Sequence, residues 1–324
     1  MNKNMNLNIT KLYLIAFAFL LLNACSTADK TQTFHGSTMG TTYTVTIIGD
    51  SAVSQRDIDD RLMKIEQIFS TWDKKSELSL LNKSPTKQWI NVSDELFYVL
   101  KVANKVHQQT AGYFDPGIGR LIDIWGFGIN KVTQKPNRTQ IQKARQNSSI
   151  QYLMLREGKN KAVKKIKNIQ IDLSAIAKGY GVDEIGKLLN TPNYLVEIGG
   201  EVKVSGDNHG EDWTIGIEQP NNTAPIMIKL RNQSIATSGD YRHYFIWEGK
   251  RYMHILNPNT GLPVNSKLAS ISILHPQTMI ADAYATAMMA MGDKQAIALI
   301  KQLNLPALLI LRKKDDLKII KMNL

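Results

Sequence analysis

Hydrophobic residues follow helical and strand periods in turn along most of the chain. Apolar residues spaced three or four apart predict helices, and these are 58–69, 96–106, 279–292 and 294–303. Alternation of apolar and polar residues predicts strands, and these are 34–48, 194–198, 213–217, 226–230, 234–237, 245–247, 251–255, 268–274, 308–311 and 317–320. We therefore expect helices and strands to build the core together.

The stretch 172–183 combines a carboxylate, small residues, Lys178 and the glycines Gly179 and Gly181. Alternation at 169–171 predicts a short strand before it, and the spacing after it predicts a helix. Backbone N–H groups at a helix start favour an anion, and small side chains let a phosphate come close. The alternative is a tight junction in which glycine serves packing, and spacing alone leaves the two about even.

Two segments carry little periodic pattern. The segment 112–119 is rich in turn residues and aromatics, so it is either a packed loop or a wall for a planar ligand. The segment 131–167 is polar, and we expect an insertion or a connection between lobes.

Candidate chemistry centres on the apolar helix 279–292 and on one histidine. Asp282 and Thr286 are four residues apart, so their oxygens lie on one helix face. A carboxylate in so apolar a helix is costly unless it is hydrogen-bonded or binds a metal, and oxygen ligands suit a hard ion such as Mg²⁺. His254, in a loop with Asn, Pro and Gly, is the best general-base candidate, with a structural histidine as the alternative. The sequence lacks the His-x-x-x-His spacing of zinc sites and the common phosphate-loop and dinucleotide fingerprints.

The N-terminus has the features of a bacterial lipoprotein signal. Residues 1–24 hold a positive start and a short apolar run that ends before Cys25, the single cysteine of the chain. We expect cleavage before Cys25, acylation of that cysteine and a polar tether over 25–33. Several acyl chains would hold the protein stably on a membrane.

The chain has a formal net charge of +12 at pH 7. Its densest basic cluster has no interleaved aromatics, and we expect a solvated loop or hairpin near an anionic membrane rather than a nucleic-acid platform. The lysines of this cluster are Lys159, Lys161, Lys164, Lys165 and Lys167. We therefore expect no nucleic-acid partner.

Several motifs in one order resemble the ApbE family of flavin transferases. The segments are 39–43, 76–79, 114–116, 172–183, 198–201, 254–261 and 281–286. The resemblance covers 34–324 and implies an α+β, T-fold-related architecture with mixed sheets, in two lobes that share one FAD cleft.

The resemblance also implies an activity, which is the Mg²⁺-dependent transfer of FMN from FAD to a Thr or Ser hydroxyl with release of AMP. The implied acceptors are membrane electron-transfer subunits of the Na⁺-pumping NADH:quinone oxidoreductase and Rnf types. With the lipid anchor, this places the protein on the periplasmic side of a membrane, and we expect the inner one.

Matched position by position, the resemblance implies roles for individual residues. FAD contacts would come from Met39, Trp72, Tyr113, Phe114, Asp115, Asp172, Lys178 and Ile255. The metal shell would come from Ala175 and Ala285 through backbone carbonyls and from Asp282 and Thr286 through side chains. His254 would be the base that deprotonates the acceptor hydroxyl.

Two other functions remain open from sequence. One is a Mg²⁺-dependent FAD pyrophosphatase, in which water replaces the protein hydroxyl. The other is a non-enzymatic FAD-binding lipoprotein, against which Asp282, Thr286 and His254 argue.

Overall fold

The computed structural model describes residues 30–130, 132–220, 223–241, 244–313 and 316–324. The predicted signal peptide, Cys25 and the tether up to residue 29 lie outside these residues. Within them, no helix is both long and apolar enough to cross a membrane.

The described residues form α-helices, one short 3₁₀ helix and strands. The α-helices are α1 (Gln55–Phe69), α2 (Glu77–Lys83), α3 (Asp94–Gln109), α4 (Gly119–Ile124), α5 (Arg138–Arg145), α6 (Ser174–Leu189), α7 (Thr278–Met291) and α8 (Asp293–Leu303), and the 3₁₀ helix is Ile150–Tyr152. The strands are β1 (Thr31–Thr38), β2 (Thr41–Ile48), β3 (Ile90–Asn91), β4 (Leu153–Arg156), β5 (Ala162–Lys165), β6 (Tyr194–Ile198), β7 (Glu201–Ser205), β8 (Trp213–Ile217), β9 (Ile226–Leu230), β10 (Gln233–Gly239), β11 (Tyr244–Trp247), β12 (Lys250–Met253), β13 (Leu256–Asn257), β14 (Leu262–Pro263), β15 (Leu268–His275), β16 (Ala307–Lys313) and β17 (Asp316–Met322).

A large sheet organises the fold, with the strand order β1-β2-β6-β7-β10-β15-β16-β17. Each neighbouring pair in it is antiparallel. The α+β class is confirmed, with the difference that these ladders are not mixed in direction. The parallel pairing seen in the described part of the chain is an isolated bridge between Ile118 and Gln170.

The predicted amphipathic helices form where expected. In α1, Ser54 and Asp57 make a capping box, and the residues at helical spacing, Ile58, Leu62 and Ile65, are buried. In α3, the N-cap residue Ser93 accepts a hydrogen bond from the Leu96 N–H at 3.1 Å. Burial of these apolar faces against the sheet and the other helices supplies most of their stability.

The helix α7 is buried along most of its length, and another helix caps it. The Asp183 carboxylate of α6 accepts hydrogen bonds from the N–H of Thr278 at 3.1 Å and of Met279 at 3.0 Å. These satisfy donors at the start of α7 that no side chain of its own cap satisfies. The contact fixes α6 against α7.

Four expectations from sequence need correction. The predicted strand 34–48 is two strands, β1 and β2, because Met39 and Gly40 take positive φ values of 50° and 73° and form a turn. Because β1 begins at Thr31, the last residues of the expected tether belong to the sheet. The segment 169–171 is not a strand, since the side-chain amide of Asn82 donates to the Ile171 carbonyl at 2.8 Å and its oxygen accepts from the Ile171 N–H at 2.7 Å.

The fourth correction concerns the basic cluster of the polar segment 131–167. This segment holds α5 and, with β3, the three-stranded sheet β3-β5-β4. Its basic cluster does form a hairpin, β4–β5. Lys165, however, is buried, with 1% of its surface exposed. Its ammonium donates to the Asn82 carbonyl at 2.6 Å.

Candidate active-site cleft

A cleft of about 790 Å³ lies where α6, α7 and the large sheet meet the loop 113–118. This volume is within the range of small-molecule sites, which is roughly 300–1,000 Å³. Eleven of the predicted site residues line it, namely Met39, Tyr113, Phe114, Asp115, Asp172, Ala175, Lys178, His254, Ile255, Asp282 and Thr286. The cleft therefore gathers residues from almost the whole length of the chain.

The stretch 172–183 supplies the Lys178 ammonium to the cleft, and its glycines serve packing. Lys178 is the fifth residue of α6, so it is not at the helix start. A Cβ added to Gly179 would lie 2.6 Å from the Thr278 carbonyl oxygen, and one added to Gly181 would lie 3.0 Å from the Met39 methyl group. Small residues here let α7 and the Met39 turn approach α6, which is the alternative that the sequence left open.

The Asp282 carboxylate is buried where α6 and α7 touch. Asp282 is 4% exposed, and its Oδ2 accepts a hydrogen bond from the Gly179 N–H at 3.1 Å. Burial raises its pKa, while the positive charge of Lys178 and the Gly179 N–H act in the opposite direction. Thr286, one turn further along α7, lines the same cleft.

The predictions assigned no role to Glu201, which pairs with Lys178. Its Oε1 lies 2.6 Å from the Lys178 Nζ, and the residue is 3% exposed. Burial raises the pKa of Glu201 to about 8, with Lys178 opposing and Asp282 adding to the rise. Glu201 belongs to the motif 198–201 of the family resemblance. An acidic residue directly after two glycines was the sequence signal that could have identified it as a site residue.

The loop 113–118 is fixed by a buried carboxylate. Asp115 Oδ1 accepts hydrogen bonds from the N–H of Gly117 at 2.8 Å and of Ile150 at 2.7 Å. Its other oxygen lies 3.5 Å from Nδ1 of His107. Burial raises the pKa of Asp115, and His107 opposes the rise. Asp115 therefore shapes the wall of the cleft that Tyr113 and Phe114 form.

Hydrogen bonds within the loops also position Met39 and Asp172. The N–H of Met39 donates to the Glu66 carboxylate, which also accepts from the Thr38 hydroxyl at 2.9 Å. Asp172 accepts a hydrogen bond from the Ser174 N–H at 2.8 Å, so its carboxylate turns the chain into α6.

The candidate base His254 follows β12 directly and lines the cleft with Ile255. Its ring packs edge to face with Phe127, with 6.3 Å between the ring centres. A half-buried histidine at the wall of a cleft has the position that a general base needs.

Two predicted residues do not line the cleft. Trp72 is 68% exposed, and Ala285 is buried within α7. The predicted stacking of Trp72 on FAD and the metal contact of the Ala285 carbonyl stay predictions. Cys25 lies outside the described residues.

The donor atoms of the cleft are compatible with Mg²⁺. No cluster of three or more His, Cys, Asp or Glu side chains suited to a metal occurs in the described ranges. Asp282 and Thr286 offer a buried carboxylate and a hydroxyl, and Mg²⁺ commonly takes one or two carboxylates and completes its shell with waters and substrate phosphates. A carboxylate whose ionisation is opposed by burial is one that a cation would stabilise.

Comparison with known proteins gives one consistent result. Residues 39–309 match the ApbE family. A relative from Vibrio cholerae, named FAD:protein FMN transferase, is 37% identical over 94% of this chain and 95% of its own. One of the same name from Haemophilus influenzae is 36% identical over 92% of each chain.

Solved structures agree with the sequence relatives. The flavin transferase ApbE from Vibrio cholerae superposes with a TM-score of 0.83 at 34% identity and covers 91% of this chain and 97% of its own. The flavinyl transferase ApbE from Pseudomonas stutzeri gives a TM-score of 0.83 at 30% identity, over 91% and 95% of the two chains. The family resemblance read from the motifs is confirmed, and the chain belongs to the ApbE family.

Proposed function

We propose that this chain is an FAD:protein FMN transferase that uses Mg²⁺, joins FMN to a Thr or Ser hydroxyl of an acceptor protein and releases AMP. The relatives' shared name supports the transferase class. The observation that carries the finer proposal is the meeting of Lys178, Asp282, Thr286 and His254 at one cleft of about 790 Å³.

In the proposed reaction, the acceptor oxygen forms a bond to the phosphorus of the FMN half of FAD. The bond between that phosphorus and the bridging oxygen breaks, and the bridging oxygen leaves with AMP. The acceptor proton passes to His254, because a neutral imidazole can take a proton near pH 7. Lys178 steadies the phosphates, since its ammonium is a point charge at the cleft wall.

Asp282 and Thr286 would hold Mg²⁺, with the backbone carbonyls of Ala175 and Ala285 as further ligands. When bound, the ion would offset the pyrophosphate charge and act as a Lewis acid at phosphorus. The contact of Asp282 with the Gly179 N–H keeps the carboxylate at the junction of α6 and α7.

The test of this function is the mass of an acceptor. The full chain would be mixed with FAD, Mg²⁺ and the soluble domain of a Na⁺-pumping NADH:quinone oxidoreductase subunit that carries the target Thr. We expect the acceptor to gain one FMN and an equal amount of AMP to be released. Free FMN and AMP with an unmodified acceptor would favour the pyrophosphatase, and intact bound FAD would favour the binding protein.

A variant in the same assay tests the base. His254→Ala removes the proton acceptor, so we expect transfer to slow by about 10²–10⁴-fold while FAD still binds. Transfer at the unmodified rate would contradict the role of His254.

We also propose that Cys25 is acylated and that the protein acts at the periplasmic face of the inner membrane. The support is the sequence of residues 1–25, together with the membrane location that the proposed acceptors imply. Fractionation of cells that make the full chain or Cys25→Ser tests this. We expect the unmodified chain in the inner-membrane fraction and the variant outside it; recovery of both in one fraction would contradict the proposal.

A further inference from the structure

We propose that the hairpin β11–β12 is the docking surface for the acceptor protein, an inference that rests on the proposed function. The hairpin forms a two-stranded sheet of its own in the described part of the chain. Its last residue, Met253, immediately precedes His254. The inner end of the hairpin is therefore next to the proposed base.

One face of the hairpin is anchored by stacked aromatics. Phe245 packs on Phe127 with 4.9 Å between ring centres, and Trp247 lies 6.0 Å from the buried Trp125. Tyr252 stacks on Trp125 at 5.7 Å. Aromatic packing of this kind holds the hairpin rigid, so little conformational entropy of the hairpin would be lost when a partner binds.

The outer part of the other face is open and apolar, while Met253 at its inner end is buried. Tyr244 and Ile246 alternate with the anchored residues, and they are 45% and 64% exposed. Grouped exposed apolar side chains on one rigid element mark interaction sites more often than scattered ones do. Aromatic residues are also enriched where proteins contact one another.

Positive charge borders this apolar face. Arg251 lies opposite Ile246 in the hairpin register, and its guanidinium is 4.0 Å from the centre of the Tyr244 ring. Two further exposed cations, Lys250 and Lys135, lie on the anchored side, opposite Trp247 and over the ring of Tyr252. The one acidic residue in the hairpin is Glu248 at its turn. The surface therefore fits a partner that presents apolar side chains bordered by acidic ones.

The position of the hairpin favours the acceptor over a lipid surface as its occupant. The acceptor hydroxyl must come within about 3 Å of the base that takes its proton. Phe127 contacts both Phe245 of the anchored face and His254, so the chain around that hydroxyl must pass beside the hairpin. A bilayer against the hairpin would obstruct that approach.

The first test is kinetic and uses the double variant Tyr244→Thr/Ile246→Thr, which keeps residues suited to a strand. The matched control is Met63→Gln/Leu80→Gln, which removes two exposed apolar side chains from α1 and α2. With the acceptor domain named above, we expect KM for the acceptor to rise about tenfold in the hairpin variant, equivalent to about 1.4 kcal/mol. We expect kcat and FAD affinity to stay within twofold, and the control to match the unmodified chain.

An unchanged KM for the acceptor would overturn the proposal. Binding to vesicles of 70% phosphatidylcholine and 30% phosphatidylglycerol is measured in parallel. Loss of vesicle binding with unchanged KM would assign the patch to the membrane and also overturn it.

The second test does not need turnover. Because Cys25 is the single cysteine, Ile246→Cys in a Cys25→Ser chain can carry a benzophenone label at one position. We expect this label to cross-link the acceptor domain, and the same label on Leu80→Cys not to do so. Cross-linking without FMN transfer would uphold docking while the proposed reaction fails, and no cross-link at Ile246 would overturn docking.

Discussion

Among the single residues, Glu201 holds the Lys178 ammonium in place at the cleft wall. Its Oε1 makes the short contact to Lys178, while its Oε2 has no hydrogen-bond partner among the described residues. The residue follows the turn of Gly199 and Gly200, so the backbone fixes where the carboxyl lies. Glu201 is therefore a positioning residue that acts through Lys178.

We expect Glu201 to position Lys178 through the carboxyl oxygen that accepts its hydrogen bond, and not through negative charge. Glu201→Gln keeps an oxygen toward the ammonium, so FAD affinity should stay within about threefold. Glu201→Ala removes this oxygen, and affinity should fall about tenfold, since a hydrogen bond to a charged group contributes about 1.5–3 kcal/mol. FAD fluorescence titration measures both. An alanine variant that binds FAD normally would contradict this role.

A second prediction concerns Lys165 and how the free energy of unfolding depends on pH. Burial lowers its pKa from 10.5 to about 8, and the charge of Arg120 adds to the effect. Between about pH 8 and pH 10.5 the unfolded chain therefore binds a proton that the folded chain has lost, so the free energy of unfolding should rise with pH there. The full rise is about 3 kcal/mol at most.

Urea unfolding at several values between pH 7 and pH 10 measures this rise. In Lys165→Met the rise should be absent, and stability at pH 7 should equal or exceed that of the unmodified chain, because a buried charge is removed. The same pH dependence in both proteins would contradict the assignment.

At the scale of elements, the pairing of α6 with α7 sets the geometry of the cleft. Both helices contribute residues to it, with Lys178 from one and Asp282 from the other. The Asp183 carboxylate that caps α7 also lies 2.8 Å from the Lys203 ammonium. This cap connects the position of α7 to two other elements, α6 and β7.

We expect Asp183→Ala to destabilise the protein by about 2–4 kcal/mol, because it removes a helix cap and the carboxylate partner of the half-buried Lys203. The control is Asp60→Ala, which removes one partner of a solvent-exposed pair with Arg56 and should cost less than about 1 kcal/mol. Urea unfolding compares the two variants. Equal losses would contradict the capping role of Asp183.

Periodicity predicted the elements with a strong pattern and missed those formed by local chemistry. The helix α7 was foreseen because its apolar run is long, and α3 because its apolar residues keep helical spacing. The break between β1 and β2 was missed because Met39, a residue that rarely adopts positive φ, forms the turn. The conformation of 169–171 depends on hydrogen bonds from the side chain of Asn82. Asn82 is far away in the sequence, so the local pattern around 169–171 does not reveal it.

At the scale of the whole molecule, the sheet order brings distant segments to one cleft. The hairpin β1–β2 lies beside β6 and β7, while β10 and β15 to β17 form the other half of the sheet. The motifs could therefore predict eleven residues that line the cleft, but not the contacts among them, such as that between Lys178 and Glu201. Such contacts depend on long-range strand pairing, which a single sequence does not show.

The assignment of this cleft as the active site is best tested by a crystal structure of the full chain with FAD and Mn²⁺. Mn²⁺ replaces Mg²⁺ and scatters anomalously. We expect the flavin nucleotide in the cleft between α6 and α7, with its phosphates beside Lys178. We also expect an anomalous peak about 2.0–2.3 Å from oxygens of Asp282 and Thr286. A nucleotide bound elsewhere, or a metal away from Asp282 and Thr286, would contradict the assignment of this cleft as the active site.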